Sequence, residues 1–214
     1  MGAELQYETH VLPNGEHVFY VDEAHSYFVN GVELPSITTL ISKAYGDVYS
    51  SVNPRVLAAA AEYGTAVHNE LQLHIDRRLA SDEYIPGDFA YQETKNYFAL
   101  VEPIWKISPI MTERVVVLYN QDGVPSAAGR FDLLCNVGSV MNLVDFKTTS
   151  VIHKKQVTAQ LNLYLTAATQ SGYLLPGNDV QLGVVHLHGT TSKYVPIQRL
   201  SDNFYLQFLN QTEV

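Results

Sequence analysis

A single cysteine, Cys135, stands in 214 residues. That excludes an internal disulfide and any cysteine cage for zinc or for iron and sulfur, and it makes a reducing compartment the simplest home. No uninterrupted apolar run reaches the roughly eighteen residues that a bilayer-spanning helix needs. The opening stretch MGAELQYETH has no basic segment followed by an apolar one, so no secretory signal is expected there. Gln6 stands where a myristoylation motif on Gly2 needs Ser or Thr. A phosphate-binding G-x-x-x-x-G-K loop is also missing, so any ATP-driven unwinding would have to come from a partner. Positive charge is scarce: 13 Lys and Arg face 22 Asp and Glu, for a formal net charge of -9. A broad basic surface that wraps nucleic acid is thereby excluded, but a narrow site is not, because cations held at clustered carboxylates would lower the local charge.

What is present describes a soluble globular protein, with 46% hydrophobic and 16% charged residues. The length predicts one domain spanning 1–214, made of an N-terminal part at 1–50 and a core at 54–214. HVFYV and SYFV alternate as short strands around a DEAH turn, and Asn30-Gly31 signals a hairpin. Ser36 caps a short helix, SITTLIS, and Pro54 opens a long one in which Val67, Leu71 and Ile75 recur at helical spacing. Gly64 marks a junction or a close approach in that helix. A third helix places Phe98, Val101 and Trp105 on one side and is expected to stop around Pro103. Three strands follow in close order, TERVVVLY, AGRFDLLCNV and VMNLVDFKT; then come a helix, KKQVTAQLNLYLTAATQ, two more strands and a last helix, DNFYLQFLNQ. The expected class is α/β with a mixed central sheet flanked by helices.

Chemistry concentrates at VDFKTTS. Residues two apart on a strand share a face, so Asp145 and Lys147 project together while Phe146 packs opposite. Antiparallel pairing with the preceding strand brings Asp132 beside Asp145. Adjacent carboxylates repel unless something positive lies between them, and hard oxygen ligands favour magnesium or manganese. Lys147 would then orient an acidified water. Alone, DFK reads first as a structural Asp/Lys ion pair at a strand end, ahead of a metal site.

Four pieces in order change the weight: GTAVH with His68 on a helix, GRFD with Asp132, DFK, and QLNLY with Gln160 and Tyr164 on one helix face. Together they resemble the PD-(D/E)XK nuclease superfamily, in particular its RecB-like and phage-exonuclease members. The N-terminal SYFVNGVELPSITTLIS resembles the leader of the phage type, and the likeness runs from about Tyr27 to His188. It implies a restriction-endonuclease-like αβββαβ core preceded by an N-terminal β-hairpin. It further implies magnesium or manganese held by His68, Asp132, Asp145 and the backbone carbonyl of Phe146. Lys147 would activate water, Gln160 would brace the Lys147 end, and Tyr164 would contact phosphate or hold the metal shell. Two departures stand out: no Pro precedes Asp132, and Asp145 replaces the commoner Glu. The lack of a cysteine cluster separates the chain from the iron-sulfur branch.

The implied activity is a magnesium-dependent deoxyribonuclease, an exonuclease acting on linear DNA with free ends in phage or mobile-element recombination or replication. Its place would be the host cytoplasm, beside a recombinase or annealing-protein partner and with a ring oligomer open to it. The alternatives are a structure-specific endonuclease and a catalytically inactive nuclease-fold adaptor that binds DNA ends. Around the site, Glu113 reads either as an acidic position of the family or as surface charge. Arg130 shares the Asp132 face, to contact DNA or to pair with a carboxylate. Thr148, Thr149, Ser150, His153, Lys154 and Lys155 read as phosphate contacts or as an ordinary turn and helix start. Cys135 reads as core, and for His186 and His188 no further ligands of a second metal site are found.

Overall fold

The structure is a computed structural model that describes residues 7–21 and 26–209. Its first sheet has four strands in chain order, β1 (Tyr7–Val11), β2 (His17–Val21), β3 (Ser26–Val29) and β4 (Val32–Leu34), each antiparallel to the next. The expected N-terminal hairpin is thus one turn of a four-stranded meander. The extra strand β1 has little buried face, which is why its own sequence does not announce it. Asn30 and Gly31 both take positive φ, at 53° and 77°, as a tight hairpin turn demands. The DEAH turn at 22–25 and the end of the last expected helix lie outside the described residues.

Helix α1 (Ile37–Tyr45) begins where the Ser36 hydroxyl accepts the Thr39 N–H at 3.0 Å. Helix α2 (Pro54–Ala80) begins at Pro54, with the Asn53 side chain accepting the Arg55 N–H. It runs unbroken through Gly64, and its second half buries Val67, Leu71 and Ile75. Helix α3 (Gln92–Asn96) continues through a π turn at Tyr97–Val101 into α4 (Glu102–Trp105). The helix ends at Trp105, two residues past Pro103 and close to the expected stop. Glu102 N–H reaches back to the Tyr97 carbonyl, and this wider turn makes room for the proline ring one residue later. Lys106, left-handed at φ 53°, caps that end. Val101 is buried but Trp105 is partly exposed, so the expected stripe turns away at the π turn.

The second sheet carries β5 (Ile107–Tyr119), β6 (Pro125–Val137), β7 (Val140–Lys147), β8 (Gln181–His186) and β9 (Lys193–Ile197), in that spatial order. All neighbours are antiparallel except β7 and β8, which are parallel and joined by α5 (Lys154–Gln170). A parallel pair requires such a crossover. The class is therefore α/β with a mixed five-stranded sheet, as expected. One face packs on α1, α5 and the short α6 (Leu206–Leu209), with Phe131, Leu143 and Val184 among the core. The other packs on α2 and on Tyr97 and Val101, around Val144, Phe146 and the buried Cys135. The N-terminal sheet lies on Val115, Val117 and Ala128, fastened by the Ala128 N–H to the Pro35 carbonyl at 3.0 Å. No helix among the described residues is long and apolar enough to cross a membrane.

At Gly129, in β6, an added methyl would come within 2.7 Å of Tyr164 Cε1 and 3.4 Å of Ile37 Cδ1. Gly129→Ala is expected to cost about 1–3 kcal/mol in urea unfolding, because the tyrosine ring cannot withdraw from a filled core. Unchanged stability would mean that Tyr164 is not seated beneath β6.

Candidate active site

The ladder between β6 and β7 runs as far as Leu133 opposite Val144. Asp132 and Asp145 would form the next pair, but the strands part there. The Asp132 carboxylate fills the gap, with Oδ2 accepting the Phe146 N–H at 2.7 Å. On the other side of β6, Thr112 pairs with Leu133 and Arg114 with Phe131, which sets Glu113 across from Asp132. Glu113 is left-handed, with φ 46°, an uncommon state for a residue with a side chain. Two irregularities in adjacent strands thus bring two acids to one spot.

His68 reaches the same spot from α2. A Cβ at Gly64, one turn earlier, would meet the Thr148 hydroxyl at 3.2 Å, so glycine there lets the helix lie close to the end of β7. His68 Nδ1 lies 3.6 Å from Asp132 Oδ2, and its ring meets Phe146 edge-on at 5.9 Å. One ligating atom each from His68, Glu113 and Asp132 falls within 4.8 Å of the others.

Asp145 and Lys147 project toward α5, as strand alternation requires. The Lys147 ammonium lies 2.9 Å from Asp145 Oδ2 and 3.0 Å from Oδ1, and only the contact to Oδ1 has hydrogen-bond geometry. Gln160 completes the group: its amide donates to Asp145 Oδ1 at 3.0 Å, and its carbonyl accepts from Lys147 at 3.4 Å. Asp145 Oδ2 is therefore buried without a hydrogen-bond donor.

Of the residues singled out in the sequence, His68 and Asp132 meet directly, while Asp145, Lys147 and Gln160 form an adjoining cluster. Phe146 is buried, and its N–H is committed to Asp132. Tyr164 sits in the core beneath Gly129, and burial pushes its phenol well above the ordinary value. Its hydroxyl is near enough to Asp132, Asp145 and Gln160 for each to act on its titration. Arg130 pairs with Glu8 at 3.0 Å and lies over the Tyr20 ring, so the N-terminal sheet forms the far wall of a cleft of about 830 Å³. His68, Glu113 and Asp132 line the near wall. Glu113, which the sequence left between site and surface, belongs to the site; its left-handed backbone had no signal in the sequence. Lys155 packs over Tyr45, and His186 bonds the Thr149 carbonyl at 2.7 Å.

Electrostatically the site is short of positive charge. Burial, reinforced by Asp132, pushes the Glu113 carboxyl up to about 8. Burial pushes Asp145 up to about 6 even though the Lys147 ammonium opposes it. Burial disfavours the Lys147 charge as well, but Asp145 and Asp132 outweigh it and hold the ammonium above its ordinary value. A mixed oxygen and imidazole donor set, beside a buried carboxylate oxygen that accepts no hydrogen bond, fits a divalent cation of the magnesium or manganese kind.

No family model matches the chain. A 70-residue stretch is 37% identical to DNA topoisomerase 1 of Rickettsia bellii, a match that covers 33% of this chain and only 8% of that protein. A solved chain described as the crystal structure of SSO0001 superposes with a TM-score of 0.36 and 12% identity, covering 70% of this chain and 86% of that one.

Raised carboxyl values mean that the folded protein retains protons which the unfolded chain releases. The stability from Asp145 and Glu113 is present in full below their ordinary values and is lost as pH rises through about 6 and about 8. In chelator, the melting temperature is expected to fall between about pH 5 and pH 8, with manganese restoring it most at the upper end. Glu113→Gln should flatten the upper half of that fall. A melting temperature that rises over the interval would contradict the charge balance described.

Proposed function

We propose that the protein is a divalent-metal-dependent DNA nuclease of the PD-(D/E)XK type that hydrolyses phosphodiester bonds. One observation carries the reading: Asp132, Asp145, Lys147 and Gln160 come from two strands and a helix and converge within hydrogen-bonding distance of one another or of the same strand end. The element order, a helix, three antiparallel strands, a crossover helix and a parallel strand, supports a restriction-endonuclease-like core. The short match to a DNA topoisomerase is compatible with a DNA substrate.

His68, Glu113 and Asp132 would hold the cation, with Asp145 beside them. When bound, magnesium or manganese would lower the pKa of a coordinated water and offset charge on the phosphate. Lys147 donates toward the attacking water and stabilises charge that develops on the phosphate oxygens. Gln160 fixes the Lys147 ammonium and Asp145 Oδ1 relative to each other, so both reach the reacting centre already oriented. Asp132 holds the Phe146 N–H, which fixes the strand from which Asp145 and Lys147 project. The cleft beside Arg130 would carry the strand, its few cations acting locally within an acidic chain. We place the enzyme in the cytoplasm, acting on linear DNA from an end with a recombinase or annealing protein as partner.

Purified protein with manganese or magnesium should degrade linear DNA and leave covalently closed circles intact. Asp132→Asn, Asp145→Asn and Lys147→Ala should each lose about 10²-fold or more in kcat, and Gln160→Ala roughly tenfold. Wild-type protein that leaves linear DNA whole with either metal would remove the nuclease reading; cutting of closed circles would replace exonuclease with endonuclease.

A further inference from the structure

On the side of Lys147 away from the cleft, a second opening of about 160 Å³ lies between α1, the segment that follows it, and the start of α5. Lys147 and Gln160 are among the residues that line it. Its walls are apolar, from Ile41, Val48, Val151 and Ile152. Tyr49 and His153 also line it, with their rings edge-on at 5.4 Å and 90°. Against these walls stand polar groups with no hydrogen bond to the protein among the described residues: the Ser42 and Tyr49 hydroxyls, the Gln156 amide and the His153 ring nitrogens. Neighbouring polar side chains are committed; Thr149, for example, donates to the Val151 carbonyl.

We propose that this slot seats a single nucleoside, the one joined to the phosphate that the Asp132, Asp145 and Lys147 set would cleave. The proposal rests on the nuclease reading and names the substrate subsite within it. Apolar walls suit the faces of a flat heterocycle, and the unpartnered hydroxyl, amide and imidazole suit the polar edge of a base and its sugar. The volume is well below the roughly 300–1,000 Å³ of sites for drug-sized ligands, so one ring system enters and a duplex segment does not. Because Lys147 lines the slot, a base held here has its own phosphate within reach of the ammonium. The cleft on the other side of the site would then take the rest of the strand.

The test compares inorganic phosphate with deoxyadenosine and thymidine 5′-monophosphates, titrated into the full chain with manganese by calorimetry. Both mononucleotides should bind roughly tenfold more tightly than phosphate. Tyr49→Ala and Gln156→Ala should abolish that advantage while phosphate binding stays at the wild-type level. Equal binding of phosphate and mononucleotide by the wild type, no binding of either, or an advantage that survives both substitutions would overturn the slot. If Tyr49→Ala does not fold by circular dichroism, Gln156→Ala and the slot-filling Val151→Trp decide the matter. Hydrolysis of linear DNA is measured on the same preparations. Hydrolysis without a mononucleotide advantage would defeat the slot alone, and the advantage without hydrolysis would defeat the nuclease reading alone.

Discussion

Excess negative charge gathered where β7 parts from β6 is the constraint on which the rest of the structure depends. Glu113, Asp132 and Asp145 come from consecutive strands of one sheet, and Lys147 sets an ammonium beside Asp145. Water, which would ordinarily screen three acids, is largely displaced by α2, α5 and the N-terminal sheet. The protein answers with protons, with the Phe146 N–H and with the Gln160 amide, and Asp145 Oδ2 still lacks a donor. A site built this way is less stable empty and charged than it is neutralised, which is the physical basis for reading it as a cation site.

The surrounding fold follows from holding those groups still. Opening the β6 and β7 ladder after Leu133 and Val144 frees the strand end, and the Asp132 carboxylate takes over the hydrogen bond that a ladder partner would have supplied. The parallel placement of β8 beside β7 forces the chain to cross over through α5, and that crossover delivers Gln160 to the Lys147 side. On the opposite face, the absence of a side chain at Gly64 lets α2 approach the end of β7, and His68 arrives one turn later. The N-terminal sheet adds Glu8 and Tyr20 around Arg130 and closes one wall of the cleft. The groups on which function would depend thus sit at the ends and irregularities of elements whose interiors are ordinary core.

Much of this organisation is legible in the residues. Alternation along VMNLVDFK puts Asp145 and Lys147 on one face, and four-residue spacing puts Gln160 and Tyr164 on one side of α5. Caps at Ser36 and Asn53 and the proline at position 54 locate two helix starts. Other features escape a one-dimensional reading. The π turn that precedes Pro103 has no signal in the residues, and β1 is a strand only because β2 offers it an edge. Glu113 reads as either a site acid or a surface charge at the head of an apolar strand until its left-handed φ and its place beside Asp132 are seen.

The sequence by itself determined the identities and periodicities: an α/β chain, one face of β7 carrying an acid and an ammonium, and a short list of residues able to share a cation. Side-chain period and helix spacing are local geometry, so they can be read without knowing what lies across from them. Only the tertiary structure decided how those residues divide. It set His68, Glu113 and Asp132 in one group and Asp145, Lys147 and Gln160 in the next, sent Tyr164 into the core, and opened a cleft on one side and a slot on the other. Such divisions depend on where ladders break and which helix covers which face, and those are set by burial between segments far apart in the chain.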